Sequence, residues 1–124
     1  MIDPKNVLLN LDVGDIFHAT SAKGSMLICL VTAVTDATIH ARTMTTGYLL
    51  KVDRQTGEGE VEGAIAATAC KIDSVSPLPV DIHNIMLGLD RKSRLERNEE
   101  RIKLTEDEKR ALLFLSSHYE SSPL

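Results

Sequence analysis

The chain has 124 residues, 43% hydrophobic but only 3% aromatic, so a single core of Val, Ile, Leu, Ala and Met is expected to fold it without metal or disulfide staples. Its net charge of −4 lacks the general footprint of a nucleic-acid binder. Phe17, Tyr48, Phe114 and Tyr119 are too scattered to build a base-stacking groove. The longest apolar run, Met26–Val34, is far short of the ~20 residues of a membrane span. With no signal-peptide layout at Met1–Asn6, the expected location is cytoplasmic, with Cys29 and Cys70 reduced and buried as small hydrophobes.

Asp3-Pro4 reads as a helix start, followed by Val7, Leu8 and Leu11 at helical spacing, and Asp12-Val13-Gly14-Asp15 ends the turn. Strands are then expected at Ile16–Thr20, Ser25–Val34, Thr38–Met44, Tyr48–Asp53, Glu58–Glu62 and Thr68–Val75. Ser25–Val34 is apolar at both parities, which requires cover on both faces or curling into a small barrel. Gly63–Ala67 suits either an extended segment or a helical turn. Glu58, Glu60 and Glu62 share one strand face and read as solvated carboxylates, with guarding of a sheet edge as a second use.

Ser76-Pro77-Leu78-Pro79 ends the β segment. Asp81 is then expected to cap a helix whose Ile82, Ile85, Met86 and Leu89 form one apolar stripe against the sheet or the open barrel end. Leu95 and Ile102 point almost opposite to that stripe. Either the helix breaks near Gly88–Asp90, with Ser93 capping a new start, or its second half meets a different partner. Thr105-Glu106-Asp107-Glu108 is a capping box, with Leu104 placed for the staple, and it opens a terminal helix with Ala111, Leu112, Leu115 and Tyr119 on one face. Ser121–Leu124 is expected to fray.

The fold expected is mainly β (α+β overall): a small antiparallel barrel or bent sheet, SH3-like in architecture, with C-terminal helices. Residues 1–79 form the β-rich body with a short N-terminal helix, and residues 80–124 a helical extension packed on or projecting from it, one structural domain in all.

Chemistry-bearing motifs are weak. Ala22-Lys23-Gly24-Ser25 lacks the glycine spacing and following helix of a phosphate loop, so it reads as a turn. Asp53-x-x-Thr56-Gly57 reads as an Asp accepting backbone hydrogen bonds in a turn. His18, His40, His83 and His118 lack the paired spacing of zinc ligands, and a Cys29–His40 nucleophilic pair is disfavoured because an apolar strand raises the thiol pKa. No catalytic residue, metal or cofactor follows from these motifs.

Residues 90–103 hold 6 basic and 4 acidic side chains, the one segment with a positive excess. On a helix Arg94, Arg97 and Arg101 share a face, where they would meet an acidic protein surface or phosphates. The partner-binding residues expected are therefore Arg94, Arg97, Arg101, Leu95 and Ile102. The reading is a small non-enzymatic binding or structural module acting through a protein partner or self-association. Its alternatives are a nucleic-acid-associated barrel using the basic helix, and an enzyme or metal protein with a site assembled from distant residues.

Overall fold

A computed structural model of the protein describes residues 8–44, 46–62, 66–95 and 104–121. Six strands run in chain order: β1 Ile16–Ser21, β2 Met26–Val34, β3 Thr38–Thr43, β4 Leu49–Asp53, β5 Glu58–Val61 and β6 Thr68–Ser74. Each pairs antiparallel with its sequence neighbour, and β1 pairs with β6, which closes the barrel. Two helices follow, α1 Val80–Leu95 and α2 Glu106–Ser121. The expected Asp3-Pro4 helix start, residues 63–65 of the ambiguous loop and the expected frayed end at 122–124 lie outside the described residues.

The two apolar parities of β2 have two separate uses. Cys29 and Val31 point into the barrel, where they meet Phe17, Ile39, Leu50, Val52 and Ile72. Ile28 and Leu30 point outward, and with Ile16 and Met44 they are covered by Met86 and Leu89 of α1 and Ala111, Leu115 and Tyr119 of α2. One strand thus contributes to two cores, an interior filled by side chains and an exterior seam under the helices. The register shifts where β2 passes Thr32 and where β6 passes Asp73, and such extra residues bend a strand and assist closure.

Closure overturns one expectation. β5 is no sheet edge, because it pairs with β4 on one side and β6 on the other. Its glutamates are exposed outside the barrel, and Glu58 and Glu60 stand opposite Lys71 and Lys51. Glu58 reaches Lys71 at 3.9 Å across the strands, and none of the glutamates protects a sheet edge.

Leu8 and Leu11, from the last turn of the N-terminal segment, are buried in the barrel core. Arg54 holds that turn down. Its guanidinium donates to the carbonyls of Leu9 at 2.7 Å, Leu11 at 2.9 Å and Thr35 at 2.7 Å, with a longer contact to Leu8 at 3.5 Å. A planar fork of donors suits several carbonyls that a helix end leaves unpaired. Asp53 just before it accepts from the amides of Gln55 and Thr56, which makes this motif a turn. The Ala22–Ser25 segment is also a turn, with Gly24 at φ 84° and the Ser21 hydroxyl accepting from the Ser25 amide.

α1 differs from expectation in its start, and it resolves the alternative left open at Gly88–Asp90. It begins at Val80, with the His83 amide bonded to the Pro79 carbonyl, so Asp81 lies in the first turn instead of capping it. It runs unbroken through Gly88–Asp90. Ser93 is inside the helix, its hydroxyl donating to the Leu89 carbonyl, and caps nothing.

The capping box of α2 forms as the sequence anticipates. The Thr105 amide donates to Glu108 Oε1 at 2.8 Å, and the Glu108 amide to Thr105 Oγ1 at 3.2 Å. Leu104 packs in the seam under the helices. Its staple position four residues into the helix is Lys109, a charged residue where a staple uses an apolar one. Glu108 also accepts from Lys92 Nζ at 3.0 Å, which ties α2 to α1.

Burial, the largest single influence on the Glu108 carboxyl, raises its pKa. The Thr105 amide and hydroxyl and the Lys92 ammonium together outweigh it and hold the pKa below the ordinary value. A carboxyl lowered in the folded state stabilises above its unfolded pKa of about 4.3 and loses that contribution as pH falls through the folded value. Glu108→Gln is therefore expected to cost about 1 kcal/mol at pH 7. In denaturant titrations the gap between variant and wild type should shrink steadily from pH 5 to pH 3. A gap that stays constant with pH would assign it to packing instead of charge.

Candidate functional site

The polar groups of the molecule gather where the barrel exterior meets the two helices. His18 leaves the outer face of β1 and is 7% exposed. Its Nδ1 lies 3.1 Å from Asp73 Oδ2, and the Thr20 hydroxyl donates to that same oxygen. The contact arises at the β6 bulge: Ser74 and Ile72 pair with His18 and Ala19, leaving Asp73 as the extra residue beside the imidazole. A bulge re-aims a side chain in this way, and strict alternation in the sequence gives no sign of it.

The Tyr119 ring lies over His18 with centroids 5.5 Å apart, and His118 meets Tyr119 edge-on at 5.3 Å. His18 Nε2 and the Tyr119 hydroxyl are buried with no hydrogen-bond partner among the described residues. Burial, with a smaller contribution from Cys29, pushes the Tyr119 hydroxyl well above its ordinary pKa, so it is a neutral phenol at physiological pH. An aspartate on Nδ1 orients an imidazole so that Nε2 is its basic atom. Here that atom lies under α2, and a substrate reaches it only if the helix moves. His40 is on β3, opposite Ala33 and Lys51, and does not join the group. Among the described residues no cluster of His, Cys, Asp and Glu is arranged to hold a metal ion.

A second group lies further along the seam. Asp90 of α1 is 2% exposed and its Oδ2 accepts from Arg42 of β3 at 2.7 Å and from Arg94 at 3.2 Å. Arg94, expected to face a partner, is thus engaged with a carboxylate one turn earlier. Leu95 stands at the end of α1 with 76% of its surface exposed. Arg97, Arg101 and Ile102 lie outside the described residues.

The cysteines are free and inside the barrel. Burial, with Cys70 adding to it, pushes the Cys29 thiol far up, which makes it inert and incompatible with a nucleophilic role.

An apolar groove opens where the β1–β2 and β3–β4 turns approach the helices. Met26, Met44, Met86, Tyr48 and Leu112 line it, and it encloses about 370 Å³. Of its lining residues Met26 is 60% exposed and Tyr48 is also exposed. Leu113, beside the groove-lining Leu112, is 74% exposed, and Phe114 follows it. The terminal helix thus carries exposed apolar side chains beyond its buried Ala111, Leu115 and Tyr119 face. Methionine lining gives such a surface adaptability, because its unbranched thioether repacks against many shapes. The groove has no signature in the sequence, because its walls come from four separate elements.

No helix among the described residues is long and apolar enough to cross a membrane. No family model matches the chain, and neither a curated protein nor a solved structure shows significant similarity to it.

Proposed function

We propose that this protein is a non-enzymatic binding module that self-associates through the methionine-lined groove and the adjoining exposed face of α2. The observation that carries this reading is the company Leu113 keeps. It is 74% exposed on α2, one residue along the helix from Leu112, which lines a groove whose Met26 and Tyr48 are also exposed. Isolated exposed leucines are ordinary on a monomer, whereas apolar side chains gathered around a concave surface mark an interaction site. A second copy supplies both halves of the fit, a projecting Leu113 and a groove to receive it, as a two-fold interface requires.

The other readings gain less. The engagement of Arg94 by Asp90 weakens the case for an arginine face on phosphates. The cover of α2 over His18 weakens the case for catalysis.

Size-exclusion chromatography with in-line light scattering tests the proposal on the full chain. Wild type is expected to run as a dimer at tens of micromolar. Leu113→Glu, at an exposed position, is expected to run as a folded monomer with an unchanged circular dichroism spectrum. Wild type that stays monomeric at several hundred micromolar would dispose of self-association. Absorbance at 260 nm in the same run detects bound nucleic acid readily, because the chain has two Tyr and no Trp.

A further inference from the structure

A second cleft, sharing no lining residue with the groove, lies between the N-terminal turn, the start of β1, the Val75–Leu78 segment and the first turns of α1. It encloses about 320 Å³, within the roughly 300–1,000 Å³ range of small-molecule sites. Its walls are Leu11, Ile16, Val75, Pro77 and Leu78, and three polar side chains join them: Asn10, Asp15 and His83. A mostly apolar concavity with a few convergent polar groups is the usual composition of a ligand site.

The electrostatics of the cleft select the ligand. Asp15 is the only carboxylate among these lining residues, and no lysine or arginine is among them. The carboxylate is fixed in place: Asp15 Oδ2 accepts the Asp12 amide at 2.9 Å, and the Asp15 amide donates to the Asp12 carbonyl at 3.0 Å. On the other side of its own residue, the Asp15 carbonyl accepts from the Val31 amide at 2.9 Å, which anchors the turn to β2. A carboxylate on a rigid turn, beside low-polarity walls, attracts a cation more strongly than one in open water. The Asn10 side-chain oxygen and the His83 ring, in the same cleft, supply further acceptors for an ammonium group.

We propose that this cleft binds a small apolar molecule carrying a protonated amine, its body against Leu11, Ile16 and Leu78 and its ammonium on Asp15. The site is independent of self-association, since none of its residues lines the methionine groove.

Three probes of one size, benzylamine, benzyl alcohol and benzoate, separate charge from shape. Titrated into the isotopically labelled full chain and followed by NMR, benzylamine is expected to shift the signals of Leu11, Ile16 and Leu78 saturably. Benzyl alcohol should bind at least tenfold more weakly, and benzoate should not bind. Asp15→Asn retains an acceptor for the Asp12 amide and is expected to bring benzylamine down to the affinity of the alcohol. Equal binding of all three probes, or no saturable shift at these residues, overturns the proposal. The wild-type comparison decides this even if the variant fails to fold.

Discussion

Arg42→Ala is expected to destabilise the protein by about 3 kcal/mol, although the arginine is on the barrel exterior. It leaves the Asp90 carboxylate, whose side chain is only 3% exposed, with the half-exposed Arg94 as its remaining partner. A buried carboxylate stripped of its main counter-charge loses its compensation but keeps the desolvation cost of leaving water. Asp90→Ala is expected to cost less, since Arg42 is partly exposed and its freed guanidinium turns toward water. The paired replacement Arg42→Met with Asp90→Leu removes both charges and keeps apolar volume in the seam. It should recover stability to within about 1 kcal/mol of wild type. Denaturant titration of wild type, Arg42→Met, Asp90→Leu and the paired variant closes the double-mutant cycle. Additive losses in the double variant would show that the two residues act separately, against the 2.7 Å contact between them.

That ion pair also marks where sequence reading stopped. The six strands were legible because their burial alternates, as in β4, where Leu50 and Val52 are buried between exposed neighbours. The doubled parity of β2 foretold cover on both faces, and Thr105 with Glu108 foretold the start of α2. These are local patterns, carried by residues within one turn or one strand of each other. The polar groups of the seam are not local. Arg42 and Asp90 are 48 residues apart, and Asp90 reads in sequence as one more charge beside a basic run. Asp73 reaches His18 only because a bulge leaves it unpaired, and Arg54 finds the N-terminal turn only once the barrel has closed. The sequence leaves the continuity of α1 through Gly88 open for a related reason. Leu95 lies off the apolar stripe because it meets solvent, so no break is needed to dock it.

Gly59→Ala is expected to be the most damaging single-methyl change in the barrel. A Cβ at this position would lie 2.1 Å from the Lys51 carbonyl oxygen and 2.6 Å from Val52 Cα, both backbone atoms of β4. Side-chain rotation relieves neither contact, so β4 and β5 must separate where Lys51 pairs with Glu60 and Val52 with Gly59. A glycine within a strand often marks such a close backbone approach. The φ of Gly59 is not among the positive values found at Gly14, Gly24, Gly47 and Gly57, so the requirement is one of space. β5 has four residues and joins β4 to β6, so displacing it opens the closed barrel on both sides. The expected loss is roughly 3 kcal/mol or more, above the ~1–3 kcal/mol usual for an added methyl in a packed core. Gly88→Ala supplies the opposite sign. Gly88 is inside α1 with no atom within 4 Å of the added Cβ, and alanine there is expected to stabilise by about 0.5–1 kcal/mol. Thermal unfolding of both variants beside wild type reads the two effects. A Gly59→Ala protein as stable as wild type would mean that β4 and β5 do not approach so closely, and the barrel would then be less tightly closed at that corner.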